Sequence, residues 1–197
     1  MPSGPDTERA VSSALQTGYR LIDTARYYAN EKDVGKALRA SGIPREQVFV
    51  TTKLWNGDHG YDSTLGAFDN SLKELGLDFL DLYLIHWPVK GSRLSRWQPL
   101  KRILDFLGFA IRGSRLESWK AMEKILSGGR CRAIGASNYT IRHLEELLSV
   151  ATVIPAVNQV EFTPFCYQKE LRISCRSQPG RVIFSGCTNR SNSTAET

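Results

Sequence analysis

Residues 48–53 read VFVTTK, and two runs of the same kind flank them, RLID at 20–23 and LDLYLIH at 80–86. Each run is largely apolar and each ends on an ionisable side chain: Asp23, Lys53 and His86. Those ends lie 30 and then 33 residues apart, about the length of one strand plus one helix, which is the repeat unit of a parallel α/β fold. In a (β/α) barrel all C-terminal strand ends open on one face, so the three side chains are expected to converge there.

Outward from these runs the punctuation is that of alternating helices and strands. Asp6 is a candidate cap for a helix whose apolar positions are Ala10, Val11, Ala14 and Leu15, with Gly18 as its stop before a strand at 19–24. Val34 and Leu38 mark a second helix ending near Gly42, and Pro44 turns the chain into a strand at 48–52. Leu65, Phe68, Leu72 and Leu75 repeat at helical spacing up to Gly76, before a strand at 79–85. Short connections and continuously apolar strands point to a parallel sheet buried on both faces by helices.

After His86 the rhythm breaks, because the next strand-like run, CRAIGAS at 131–137, leads to Asn138, 52 residues on. The tetrapeptide GSRL occurs at 91–94 and again at 113–116, a displacement of 22, and removing that displacement restores a spacing of 30. An insertion at about 95–112 is therefore expected in a strand-to-helix loop, with Trp97, Leu100, Leu104 and Leu107 as an amphipathic helix. Leu116, Trp119 and Met122 continue the ordinary pattern up to Gly128-Gly129. Ile141, Leu144, Leu147 and Leu148 mark a further helix, and AVNQVEF at 156–162 a fifth strand. The run 182–184 is the one apolar stretch near a sixth expected strand, and the end of the chain, TNRSNSTAET, has a disordered composition.

The 197 residues suffice for one domain or at most two, but a full eight-unit barrel typically takes about 250. With 41% hydrophobic and 23% charged residues the chain is an ordinary globular one. Its 26 Lys and Arg against 20 Asp and Glu give +6, but they are scattered, which argues against nucleic acid. The modest excess suits either a solvated surface or an anionic ligand. Cys131, Cys166, Cys175 and Cys187 form no CxxC pair and no zinc-type spacing, so no metal site is expected and the thiols read as reduced. The first residues, MPSGPDTERA, lack a secretory apolar core and no window approaches a membrane span, so a cytoplasmic, soluble chain is expected with no membrane partner.

The strand-end residues suit one kind of chemistry. Reducing a carbonyl places hydride on carbon and a proton on oxygen, and the developing alkoxide needs stabilisation. Tyrosine is a weak acid at neutral pH unless a cation favours its phenolate. Lys53 supplies such a cation, Asp23 would hold the ammonium, Tyr28 lies five residues past Asp23 in the loop at the mouth, and His86 can hydrogen-bond the carbonyl oxygen. Taken singly, each also has an ordinary explanation. Asp23 and Lys53 can form a structural ion pair, Tyr27 competes with Tyr28, and a histidine before Trp87-Pro88 can be purely structural. The four together are harder to dismiss.

The segments GYRLIDTARYYANEKDVGKAL, VFVTTKLW, DLYLIHWP, AIGASNY and PAVNQVEFTPF resemble, in order, successive signatures of the aldo-keto reductase family, from about Thr7 to Arg172 apart from the insertion. The resemblance implies a (β/α)8 TIM barrel that binds NADPH without a Rossmann domain and reduces small carbonyl compounds. It matches Asp23, Tyr28, Lys53 and His86 to the catalytic tetrad, with Tyr28 as acid. It places Thr24, Ser137, Asn138 and Gln159 at the cofactor, the last three at the nicotinamide carboxamide, although Asn138 can equally cap the next helix. Trp55 and Trp87 become substrate-pocket walls, with core packing as the other reading.

The chain also departs from the family pattern. Family members begin with a strand and Gly-rich turn ahead of the first helix here. After PAVNQVEFTPF they continue through two more strands carrying an aromatic that stacks on the nicotinamide and a Lys/Arg cluster for the 2′-phosphate. Here the sequence reads LRISCRSQPGRVIFSGCTNRSNSTAET, which resembles neither. The expectation is an incomplete barrel over 6–172 and a divergent tail over 173–197, with open edges that favour self-association. Two functions follow: an NADPH-dependent aldehyde or ketone reductase, or an inactive partial barrel, a splice variant or truncated product, acting by association.

Overall fold

The computed structural model describes residues 3–89, 114–163, 165–176 and 184–185. Helices and strands alternate: α1 (Pro5–Gln16), β1 (Leu21–Asp23), α2 (Glu31–Ala40), β2 (Phe49–Leu54), α3 (Tyr61–Leu75), β3 (Leu82–Ile85), α4 (Arg115–Ser127), β4 (Ile134–Ser137), α5 (Ile141–Leu148), β5 (Asn158–Glu161), α6 (Lys169–Arg176) and β6 (Phe184–Ser185). The six strands lie side by side in chain order and every adjacent pair is parallel. The sheet curls into part of a (β/α)8 barrel, as the strand-plus-helix period predicts. The expected insertion at 95–112, Cys187 and the end of the tail lie outside the described residues.

Register fixes what each face of the sheet carries, because neighbours across parallel strands share a face and side chains alternate along each strand. Asp23 pairs with Thr51 and Lys53 with Leu84, which puts Asp23, Lys53, Leu84 and His86 on the concave face. On the opposite face Ile22, Val50, Leu54, Tyr83, Ile85, Ile134 and Ala136 pack against helix residues such as Val34, Phe68, Trp119 and Leu147 in one continuous core. A smaller cluster of Leu82, Leu84 and Val157 fills the concave side beneath the site. Near β1 the concave face is open: Leu21 is 59% and its register partner Phe49 40% exposed.

Several local expectations shift. The first strand is three residues rather than 19–24, because it has a partner on one side only and Tyr19 stands in solvent. The third begins at Leu82, with Leu80 making only an isolated bridge to Cys131. Asp6 is not the cap of α1. Gly4 takes that position at φ 115°, Pro5 starts the helix with its fixed φ, and Asp6 lies in the first turn, ion-paired with Arg9. Gly76 ends α3 as expected, in the left-handed region at φ 65°. Helices α2 and α3 touch at Gly35, where a Cβ would fall 2.0 Å from the carbonyl oxygen of Leu75, so the contact admits no side chain.

At the N-terminal rim of the sheet, the end away from the site, a buried carboxylate is fully used. Asp81, 1% exposed, accepts from Arg45 Nη2 at 2.7 Å, the Val50 N–H at 2.8 Å and Arg132 Nη1 at 2.8 Å. Both guanidinium groups also stack on the Phe79 ring, at 4.1 and 4.4 Å. Among the described residues no helix is long and apolar enough to cross a membrane. The described cysteines Cys131, Cys166 and Cys175 are free, and burial raises the Cys131 thiol to about 11, which keeps it protonated and unreactive.

Candidate active site

The C-terminal rim gathers the four side chains that the sequence scatters over 64 positions, 23 to 86. Lys53 comes from β2 and Asp23 from the end of β1. The Lys53 ammonium, on a residue 2% exposed, donates to Asp23 Oδ2 at 2.6 Å and to the Thr24 carbonyl at 2.9 Å. A buried ammonium needs such acceptors, and parallel pairing of β1 with β2 brings them within reach.

Beyond Asp23 the chain makes a short 3-10 turn, Arg26–Tyr28, that lifts two tyrosines over the rim. They share the His86 ring, which Tyr27 meets edge-on at 6.1 Å and 71°, but otherwise take different neighbours. Tyr28 carries its ring 5.7 Å from Lys53 Nζ and meets the His86 imidazole edge-on, centroids 5.7 Å apart at 89°. Tyr27 instead stacks on Trp55 at 4.4 Å and 13°, forming one apolar wall. Trp55 is half-buried and Trp87 is 45% exposed, so neither belongs to the core.

His86 follows β3 and is 6% exposed. Its backbone is fixed on two sides: its N–H donates to the Leu54 carbonyl at 3.3 Å, and its carbonyl accepts from Asn138 Nδ2 at 2.9 Å. Burial, then the charge of Lys53, lowers the imidazole from 6.5 to about 4, so it is neutral at pH 7. Nδ1 is buried and has no hydrogen-bond partner among the described residues.

Polar residues at the end of β4, just beyond it and on β5 form a linked group that reaches the His86 backbone through Asn138. Ser137 Oγ donates to the Gln159 carbonyl at 2.8 Å and accepts from Asn138 Nδ2 at 3.1 Å. Asn138 sits at φ 61°, a left-handed conformation that asparagine tolerates better than most residues. It does not cap the next helix. Thr140 does that, with His143 completing a reciprocal capping box. Thr24 commits its hydroxyl to Asn30 Oδ1, donating at 2.6 Å, and gives Lys53 its carbonyl.

Two features escaped sequence reasoning. Glu31, first residue of α2, is only 2% exposed and accepts from the Thr52 hydroxyl at 2.6 Å. Tyr27 forms a wall with Trp55, where it had appeared only as a rival to Tyr28. No cluster of three or more His, Cys, Asp or Glu side chains able to hold a metal occurs among the described residues.

Comparison with known proteins identifies relatives of this chain. The sequence profile of the Aldo/keto reductase family matches residues 2–184. The chain is 45% identical over 176 residues to the glyoxal reductase of Bacillus subtilis (strain 168), covering 89% of this chain and 56% of that protein. It is 48% identical over 171 residues to the morphine 6-dehydrogenase of Pseudomonas putida, covering 86% and 50%. Among solved structures, an aldo/keto reductase from Brucella melitensis superposes with a TM-score of 0.77 at 43% identity, over 91% of this chain and 62% of that one. A Bombyx mori aldo-keto reductase in complex with NADP gives 0.77 at 35%, over 93% and 58%. The chain thus spans about half the length of the curated relatives it matches. Profile, relatives and fold agree, and the chain belongs to the aldo/keto reductase family of oxidoreductases.

Proposed function

We propose that this chain reduces aldehydes or ketones to alcohols with NADPH, using Tyr28 as proton donor. The observation that carries the reading is the position of the Lys53 ammonium, 2.6 Å from Asp23 Oδ2 and 5.7 Å from the Tyr28 ring. A cation there favours the phenolate that Tyr28 becomes on giving up its proton, and so makes the phenol a better acid. Asp23 keeps the ammonium in place. His86 is neutral at pH 7 and therefore suits hydrogen-bond donation better than proton transfer. With Nδ1 buried and partnerless, its proton belongs on Nε2, from which it donates to the carbonyl oxygen. Tyr27, Trp55 and Trp87 wall the pocket on its apolar side.

NADPH would supply the hydride. The donor set fits its nicotinamide amide: Asn138 spends Nδ2 on His86 and Ser137, which leaves Oδ1 to accept, and Gln159 offers both an acceptor and a donor. Ser137 has already given its one proton to the Gln159 carbonyl, so it holds Asn138 in orientation rather than donating to a ligand. Thr24 supports the same site through its backbone contact with Lys53.

Titrating the purified chain with NADPH, then following NADPH absorbance after adding a reactive aldehyde, tests the reading. Binding followed by consumption is expected. No binding at millimolar NADPH would overturn it and favour a partial barrel acting through association.

A further inference from the structure

The turn that carries Tyr28 is strained, and one of the two sets of ties that hold it runs through a buried carboxylate. Ala29 closes the turn in the left-handed region at φ 53°, a conformation that costs a non-glycine residue about 1 kcal/mol and persists only where its surroundings impose it. Two sets of contacts do so. On one side Thr24 Oγ1 donates to Asn30 Oδ1 at 2.6 Å and closes the base of the turn. On the other, Glu31 faces two ways: Oε1 accepts from Thr52 at 2.6 Å, and Oε2 lies 3.7 Å from Arg26 Nη1, at the head of the turn.

Glu31 is an unexpected residue to bury. At 2% exposure its carboxylate must be compensated, and Oε2 has no hydrogen bond among the described residues. The N-terminus of α2 offers part of the compensation, since Glu31 is its first residue. The ion pair with Arg26 offers the rest. Thr52, the anchor on the other oxygen, immediately precedes Lys53 in β2. One carboxylate therefore spans the residue before the cation and the residue two before the phenol.

We propose, resting on the reductase reading above, that Glu31 is a positioning residue. Bridging Arg26 to Thr52, it fixes the distance between the Tyr28 phenol and the Lys53 ammonium. A purely structural carboxylate would affect how firmly the chain folds but not where the Tyr28 ring sits once it has folded.

Tyrosine-ring-labelled chain, observed by NMR with Tyr28 assigned through Tyr28→Phe, separates these possibilities without cofactor or substrate. Glu31→Gln keeps an acceptor for Thr52 and loses the charge that faces Arg26. Arg26→Met removes the other partner from a half-exposed position where folding is not at risk. Each should shift the Tyr28 ring resonance, the double variant should shift it no further than the singles, and Arg26→Lys should restore it, while Tyr139 stays put. An unmoved Tyr28 resonance in folded Arg26→Met or Glu31→Gln would overturn the proposal, as would additive shifts in the double variant. In turnover, Glu31→Gln should lower kcat about tenfold with KM within about twofold. Because the resonance needs no turnover, an inactive wild-type chain would refute the reductase reading while the Tyr28 signal still decides this one.

Discussion

The two rims of the sheet use similar ingredients to opposite ends. At the N-terminal rim one buried carboxylate, Asp81, meets two guanidinium groups and a backbone N–H, and both cations also contact one phenyl ring. At the C-terminal rim one buried ammonium, Lys53, meets one carboxylate and one carbonyl, beneath a phenol and a neutral imidazole. The first cluster is closed around its carboxylate, with Asp81 1% exposed and both its oxygens hydrogen-bonded, while Arg45 Nε stays buried without a partner among the described residues. The second is more open: among the described residues His86 Nδ1 has no partner, and Tyr28 and Asp23 reach solvent. The Asp81 contacts staple strands together, whereas at the open rim, on the function proposed above, the groups left over would meet a ligand.

Breaking the staple should give a large stability effect. Asp81→Ala leaves the Val50 N–H without its acceptor and takes the carboxylate from Arg45, which keeps the Val48 and Phe79 carbonyls, and from half-exposed Arg132; it should cost about 3 kcal/mol in urea denaturation, with turnover per folded molecule unchanged. The opposite rim should register acid instead. The folded state holds His86 neutral down to about 4, while the unfolded chain takes up its proton near 6.5. Its contribution is complete above about 6.5 and is lost as pH falls from there to about 4, up to about 3 kcal/mol. The difference in unfolding free energy between wild type and His86→Gln, measured across that window, isolates it. Away from both rims the effect should be smallest: Thr140→Ala removes an exposed cap from α5 and should cost about 1 kcal/mol in thermal unfolding.

What the sequence made legible was the part written in periodicity. Asp23, Lys53 and His86 stand at strand ends one repeat apart, so their convergence follows from the fold class alone. Tyr27 and Tyr28 are adjacent, and only the 3-10 turn decides which of them faces the lysine. Glu31 reads locally as a residue that complements a helix N-terminus, because its burial comes from Thr52, 21 residues away. The Asp81 staple joins residues 36 and 51 positions apart and has no local signature. Asp6 and Asn138 both carry cap-forming side chains, but Gly4-Pro5 and Thr140 took those positions, since backbone geometry outranks side-chain preference.

The contrast between rims rests on Tyr28 being the group that the open cluster activates. NADPH-dependent turnover of Tyr28→Phe against wild type, at matched folded fraction and with NADPH affinity measured alongside, tests it most directly. The account predicts turnover lower by about a hundredfold or more, with cofactor affinity retained. Undiminished turnover in the variant would contradict it.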